Sequence, residues 1–224
     1  MARGTGVRPV REVILLLVLA LAVVASGCHM PGVFFAWLAA PRHPKKTIEA
    51  EYELESERMV IVVYAGTDTL FKYPTAPLEV SYDLVNEVCL HLSPRVKTVV
   101  GPVDVVRWQE SNLEWPNMTL DDIAKAFQAD TVLYVELEQY SMIEERSANL
   151  LRGRVNGRVQ VAKVDAERNP TFEATVSTVF PEDRQVGMLQ DSERKLRAIT
   201  TRMFARDVVR KFHGYEVEVQ GGAK

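Results

Sequence analysis

Apolar residues recur along this chain with two different periods, and these periods predict alternating strands and helices. Residues 59–65 form a continuous apolar run rich in β-branched side chains, which is typical of a strand covered on both faces. Between residues 78 and 92 the apolar positions return every three or four residues, so this segment predicts an amphipathic helix whose apolar face includes Cys89. Residues 96–108 predict a second strand, in which Gly101-Pro102 indicates either a bend or a strand at the edge of the sheet.

Two shorter segments complete the first half of the predicted domain. Residues 66–77 contain turn residues without a helical period, and they predict a loop. Thr119 followed by Asp122 is typical of a helix start, because the hydroxyl caps the first turn and the carboxylate lies near its positive end. Residues 119–127 therefore predict a short helix.

Aliphatic and polar positions alternate in residues 131–143. Odd positions such as Leu133 and Val135 are aliphatic, and even positions include Glu136 and Glu138. This alternation predicts a strand with one buried face and one partly solvated face. The two glutamates would lie roughly 7 Å apart on a strand that rises about 3.3 Å per residue. Such a pair is a candidate for acid/base chemistry. Catalytic carboxylates usually face each other from different elements, so a solvated strand face is the favoured interpretation.

The dipeptide Asn156-Gly157 is a strong hairpin signal, yet its neighbours argue against a turn at this place. With a two-residue turn, each of the two cross-strand pairs that flank the turn would place an aliphatic side chain next to a cation on the same face of the hairpin. We therefore predict one continuous strand over residues 151–164, in which Gly157 marks a bulge or a close backbone approach. The reversal is predicted at residues 166–170, which supply turn residues.

A strand at residues 171–180 and a long helix complete the predicted domain. The helix begins with a cap at Asp191 or Ser192 and ends at Phe212, and Gly214 follows as a stop. The predicted order of elements is β-α-β-α-β-β-β-α. This order indicates an α/β (α+β) fold, a single domain in which helices pack on a mixed sheet.

The first residues of the chain indicate the cellular compartment in which the rest of the chain folds. Arginines precede an apolar run at residues 13–24, and the run ends in the small residues Ala25-Ser26-Gly27 before Cys28. This pattern predicts a signal peptide over residues 1–27. An uncleaved membrane anchor is the alternative, but a span needs roughly twenty apolar residues. Plain secretion is the third interpretation.

The sequence Ser26-Gly27-Cys28 resembles the lipobox of bacterial lipoproteins. The resemblance implies that a diacylglyceryl group is placed on the thiol of Cys28 and that the chain is cut ahead of this residue. Two or three acyl chains, such as palmitate, make a durable anchor. Met30, in place of an aspartate, implies by the same resemblance release to the outer membrane, so the expected location is its periplasmic face.

The rest of the chain divides into three predicted parts. Residues 28–56 form the lipidated N-terminus and a proline-containing tether, whose apolar residues 33–38 lie either in the membrane interface or on the domain. Residues 57–214 form the globular α/β domain. Residues 215–224 form a short flexible tail.

One pattern in the domain resembles a known group of envelope proteins. Ala129-Asp130 precedes an apolar strand and follows a short helix, and a long hairpin containing residues 163–167 and a terminal helix come after it. This order is similar to the periplasmic α/β domain of the curli-secretion lipoprotein, the lipoprotein activators of penicillin-binding proteins, and the N-terminal domain of TolB-type proteins. The resemblance spans about residues 57 to 214. It implies partner binding or assembly in the envelope, without catalysis.

Composition narrows the chemistry further. The chain has 224 residues and a formal net charge of −3, and no basic stripe points to nucleic acid. With Cys28 acylated, Cys89 is the only other cysteine, so no intramolecular disulfide can form and Cys89 is predicted to be a buried apolar residue. The histidines lack the spacing of zinc ligands, and no glycine-rich loop has the form of a phosphate site. The sequence therefore predicts no metal, no cofactor and no catalytic residue.

Three functional hypotheses follow from these patterns. The leading one is a lipid-anchored bacterial cell-envelope protein whose periplasmic domain binds a protein or assembly partner. The alternatives are an envelope hydrolase that acts on wall polymers through Glu136 or Glu138, and a small-ligand or lipid-binding lipoprotein with a deep apolar cavity. The aromatic residues Trp108, Trp115 and Phe127 belong either to the core or to a contact surface.

Overall fold

The apolar run at residues 59–65 lies at the centre of a mixed β-sheet. The protein is described by a computed structural model, which covers residues 45–144, 147, 150–182, 188–189 and 193–218. The chain divides into two compact units, Lys46–Val217 and a second one made of residues 1–45 and 218–224. Of the second unit only Lys45 and Glu218 are described, so the fold is that of Lys46–Val217.

Strands and helices alternate along the first half of the described chain, and strands dominate the second half. The elements are β1 (Lys45–Ile48), β2 (Ser56–Ala65), α1 (Thr67–Lys72), α2 (Ala76–His91), β3 (Val96–Val99), α3 (Pro102–Ser111), a 3-10 turn (Trp115–Asn117), α4 (Leu120–Phe127), β4 (Thr131–Ile143), β5 (Leu150–Lys163), β6 (Phe172–Phe180), β7 (Met188–Leu189), α5 (Glu193–Val209) and β8 (Tyr215–Glu218).

The main sheet has the order β3-β2-β4-β5-β6, and the short β7 also pairs with β5. β2 runs parallel to both of its neighbours, with Met59 opposite Val99 on one side and Thr131 on the other. The pairs β4-β5 and β5-β6 are antiparallel. β1 and β8 form a separate two-stranded sheet. The predicted fold class, a single α/β domain with helices packed on a mixed sheet, is confirmed.

Helices cover both faces of this sheet, because β2 is apolar on both sides. Ile61 packs in one buried cluster with residues of α2 and α5, among them Leu84 and Phe204. Val62 points to the opposite face and packs with residues of α3 and α4, among them Ile123. Full burial of such a side chain stabilises the fold by roughly 1.5–3 kcal/mol. The continuous apolar run therefore marks a strand covered on both faces, as predicted.

Two helices occupy segments for which the sequence predicted none, and both of those predictions were wrong. α1 lies in the predicted loop at residues 66–77, and none of its residues is buried, so no apolar stripe marks it. α3 lies in the predicted strand at residues 96–108, of which only β3 is a strand. Gly101 is extended before the helix and Pro102 occupies its first turn, where a missing N–H costs nothing. The Gly-Pro pair is therefore a helix start.

The strands β1 and β8 lie outside the predicted domain bounds. β1 falls within the predicted tether at residues 28–56, and β8 falls within the predicted flexible tail at residues 215–224. Three of the four residues of β1 are exposed, so backbone pairing forms this small sheet without a periodic apolar signal. Residues 28–44 and 219–224 lie outside the described residues.

A β-bulge in β4 corrects the predicted faces of this strand. The register of β4 against β5 shifts between Leu137 and Gln139. One extra residue reverses the alternation of side chains beyond that point. Tyr140 was predicted to share the solvated face with Glu136, but it is only 6% exposed and belongs to the core.

The predicted strand at residues 151–164 is confirmed as β5, which continues through Asn156-Gly157 without a turn. A Cβ atom on Gly157 would lie 2.9 Å from Cζ of Phe204 in α5, so this glycine permits the close approach that was predicted. The reversal at residues 166–170 is confirmed as well. There the Oδ1 atom of Asn169 accepts a hydrogen bond from the backbone N–H of Lys163 at 3.1 Å.

The buried face of α2 differs from the predicted one. Val80, Leu84 and Val88 are buried as expected, but Cys89 is exposed, so its prediction as a buried residue was wrong. Cys89 lies one residue beyond Val88, a rotation of about 100° around the helix axis, which carries it off the core-facing stripe. The terminal helix α5 is confirmed, although it ends at Val209 and its predicted cap residues lie outside the described part of the chain.

Candidate functional site

The connections between the parallel strands leave the sheet on opposite faces. From β2 the chain passes through α1 and α2 to β3, and α2 packs in the cluster on one face. From β3 it passes through α3 and α4 to β4, and these helices pack in the cluster on the other face. The strand order reverses at β2, with β3 on one side and β4 on the other, and open α/β sheets bind ligands in the crevice beyond the carboxyl ends of the strands at such a point.

A cleft of about 540 Å³ lies at this crevice, and we call it the switch-point cleft. The end of β2, the segment from α1 to the start of α2, α3 and the 3-10 turn line it. The lining residues are Val63, Tyr64, Ala65, Leu70, Pro74, Thr75, Pro77, Leu78, Val106, Gln109, Glu110, Trp115 and Pro116. Most of them are apolar, and the volume is in the range of sites that bind small molecules or buried side chains.

Aromatic side chains form part of this lining. The rings of Tyr64 and Trp115 meet edge to face, with their centroids 5.8 Å apart. Trp115 remains half-buried and lines the cleft. An edge-to-face pair of this kind holds both rings in place and contributes about 0.5–1.5 kcal/mol beyond burial.

Gln109 brings an unsatisfied donor to the apolar lining. Its Nε2 atom is buried and has no hydrogen-bond partner among the described residues. A buried amide without a partner costs about 1–3 kcal/mol, so a rotation of the Gln109 side chain that brought Nε2 to an acceptor oxygen in the cleft would relieve that cost.

Large apolar side chains are exposed on the segments that form the cleft. Phe71 of α1 is 87% exposed, and Leu113, between α3 and the 3-10 turn, is 83% exposed. Leu70, beside Phe71, lines the cleft and is itself 41% exposed. Exposed apolar side chains that adjoin an apolar concavity are typical of a surface that binds another molecule.

The structure brings Glu136 and Glu138 together around one cation. The Nε atom of Arg158 on β5 lies 4.0 Å from a carboxylate oxygen of Glu136 and 3.4 Å from one of Glu138. All three side chains are at least a third exposed. This is an ion-paired, solvated strand face, the arrangement favoured from the sequence. On the same strand, burial and the nearby charge of Glu136 raise the pKa of Tyr134 to about 12.

The predicted aromatic group divides between core and cleft. Trp108 and Phe127 meet with their ring centroids 4.9 Å apart and pack against the buried cluster under α3 and α4. Trp115 also touches that cluster but lines the switch-point cleft. All three residues therefore pack against the core, as one of the two interpretations predicts, and a contact surface at Trp115 stays a prediction.

The other predicted site residue, Cys28, lies outside the described residues.

The rings of His91 and His213 stack with centroids 4.7 Å apart. Among the described residues no three His, Cys, Asp or Glu side chains form a group that could hold a metal ion. None of the helices in the described ranges combines the length and the apolar character that a membrane span requires.

Sequence reasoning did not find the switch-point cleft. Its lining comes from segments on both sides of β3, and two of its walls belong to α1 and α3, the helices that the sequence failed to predict. The signal was present in the order of the parallel strands. A prediction of two crossovers on opposite faces would have placed a crevice at the end of residues 59–65.

Comparison with known proteins gives similar structures but no family. No protein-family model matches the chain, and no curated protein matches it. The chain is similar to the PelC dodecamer from Paraburkholderia phytofirmans, with 13% identity, a TM-score of 0.43, and coverage of 76% of this chain and 98% of that one. It is similar to the lipoprotein GNA1162 from Neisseria meningitidis, with 11% identity, a TM-score of 0.38, and coverage of 66% and 98%. The hypothetical protein CT253 from Chlamydia trachomatis shows 12% identity, a TM-score of 0.41, and coverage of 68% and 93%.

Proposed function

We propose that this chain is a lipid-anchored bacterial envelope protein whose α/β domain binds a protein partner at the switch-point cleft and performs no catalysis. The anchor in this proposal is Cys28, supported by the apolar run and small residues that precede it. The expected location is the periplasmic face of the outer membrane.

The single observation that supports partner binding most strongly is the exposure of Phe71 and Leu113 on the segments whose neighbouring residues line an apolar cleft. Leaving two such side chains in water forgoes roughly 1.5–3 kcal/mol each, relative to burial. Contact with a partner recovers that free energy, and large anchors in a desolvated pocket usually dominate binding. The cleft alone would suit a small ligand, but Phe71 and Leu113 add exposed apolar surface that a small ligand in the cleft would not cover.

Crosslinking in intact cells, followed by purification of the tagged full-length chain from detergent-solubilised envelopes, tests the proposal. We expect a partner protein to be crosslinked to the wild-type chain. The amount of crosslinked partner should fall at least tenfold when Phe71→Ser is combined with Leu113→Ser. Both side chains are more than four-fifths exposed, so these changes should leave the fold intact, which circular dichroism checks.

Leu90→Ser is the matched control. Leu90 is 71% exposed at the far end of α2, about 18 Å along the helix from Leu78 of the cleft. This variant should retain the crosslinked partner. Equal loss in both variants, or no loss in either, would contradict binding at the cleft.

The position and volume of the cleft also favour a second candidate function, the binding of a small apolar ligand. Native mass spectrometry of the protein purified without a partner checks this candidate. A bound small molecule that is lost when Leu78→Trp fills the cleft would support it, and a spectrum that shows no non-covalently bound molecule on the wild-type chain would exclude it.

A further inference from the structure

We propose that the segment bound in the switch-point cleft is a stretch of a partner protein in which an apolar side chain is flanked by Lys or Arg. In this arrangement the apolar side chain enters the cleft, and the side chain of Gln109 turns so that its Nε2 atom donates a hydrogen bond to a backbone carbonyl of the segment. This inference rests on the proposed function and gives its partner a chemistry.

The apolar part of the occupant follows from the shape and lining of the cleft. Leu70, Leu78 and Val106 approach it from three different helices, and Trp115 adds an aromatic surface. The volume of about 540 Å³ accommodates a large apolar or aromatic side chain together with adjoining main chain.

The basic part follows from the charges on the segments that form the cleft. Acidic side chains outnumber basic ones there, because residues 66–78 and 101–117 contain four carboxylates and only two cations. One of these cations, Arg107, is paired with Asp104 at 3.2 Å. Glu110 lines the cleft itself, is exposed, and has no ion pair among the described residues. Charge complementarity therefore favours a cationic segment and disfavours an acidic one.

The orientation of the segment follows from Gln109. Its unsatisfied Nε2 atom donates and cannot be served by a Lys or Arg side chain, because those groups only donate. A peptide carbonyl is the acceptor that every protein segment carries. A polar group placed in this way within an apolar site fixes the register of a bound chain.

Binding of defined peptides to the full-length, detergent-solubilised protein tests the inference. The probe is a short fluorescent peptide with a central Trp flanked by Lys, compared with a peptide that has Glu in place of every Lys. A third peptide has Ser in place of Trp. We expect the first peptide to bind at least tenfold more tightly than either of the others, and its affinity to fall as salt is raised.

Variants of the chain separate the two contributions. Glu110→Gln combined with Glu114→Gln should lower the affinity for the Lys/Trp peptide several-fold at low salt and reduce the salt dependence of binding. Glu53 lies before β2, at the other end of the sheet, and Glu53→Gln should change neither the affinity nor its salt dependence. Gln109→Leu should weaken binding about fivefold at every salt concentration, the effect of one neutral hydrogen bond.

The failure of this inference differs from the failure of the proposed function. Equal binding of the Lys and Glu peptides, or no binding of any peptide, would overturn the inference, and so would self-association of the chain that Phe71→Ser abolishes. The proposed function would still stand if the crosslinked partner remained sensitive to Phe71→Ser with Leu113→Ser. Loss of that sensitivity would overturn both.

Discussion

A single carboxylate, that of Asp130, joins the beginnings of two parallel strands. It accepts hydrogen bonds from the hydroxyl of Ser56 and, at 2.7 Å, from the backbone N–H of Glu57. Burial alone would raise the pKa of Asp130, but the hydrogen bonds from Ser56, Glu57 and Thr131 outweigh it and hold the pKa below its ordinary value. The Ala129-Asp130 signature in the sequence therefore has a structural explanation within the domain.

Replacing this carboxylate should lower stability in a pH-dependent way. Asp130→Asn keeps the shape but removes the charge, and should lower the free energy of unfolding by about 1–2 kcal/mol at pH 7. Because the folded pKa is depressed, the difference is fully present above the ordinary carboxyl range and should shrink as the pH falls below about 4. Urea unfolding at several pH values measures it. The exposed neighbour Glu55→Gln is the control, and a pH-independent difference would contradict this role.

At the scale of elements, helix α5 packs against a strand that carries glycine where the helix comes closest. A Cβ atom on Gly157 would lie 2.9 Å from Cζ of Phe204 and 3.0 Å from the backbone oxygen of Glu136. Phe204 is fully buried, so its ring has little room to move. The bulge in β4 lies directly across from this glycine. The core at this contact therefore has no room for a side chain at Gly157.

Adding one methyl group at this contact should be costly. We expect Gly157→Ala to lower the free energy of unfolding by about 1–3 kcal/mol through overpacking. Gly66→Ala is the matched control, because a Cβ there meets nothing within 4 Å, and the loss of a glycine N-cap before α1 should cost less than about 1 kcal/mol. Combining Gly157→Ala with Phe204→Leu should recover part of the loss. Thermal unfolding of the four proteins measures these differences, and a neutral Gly157→Ala would contradict the close approach.

The elements that the sequence predicted well are those with strong periodic burial. β2, β4, β5 and α5 each bury a regular set of apolar residues, so their patterns survive in the sequence. α1 buries none of its residues and α3 buries only Pro102 and Val105, so neither has such a pattern. The bulge that buries Tyr140 depends on the register between two strands, which alternation within one strand does not specify. The switch-point cleft was missed for the same reason, because it depends on where elements meet.

At the scale of the whole domain, the cleft and the entry of the chain lie at opposite ends of β2. The residues before β2 are held at its amino end, where the backbone N–H groups of Glu51 and Tyr52 donate to the carbonyl of Lys211 at 2.8 and 3.1 Å. The cleft lies beyond Ala65 at the carboxyl end. Ten residues of strand separate these ends by roughly 30 Å.

The acylation of Cys28 is the modification that would hold the proposed partner-binding domain at a membrane. Mass spectrometry of the N-terminal peptide from the native protein tests this most directly, with Cys28→Ala as the control. We predict that the wild-type chain begins at Cys28 and carries a diacylglyceryl group on the thiol, and that the variant carries none. An intact N-terminus with an unmodified Cys28 would contradict the account.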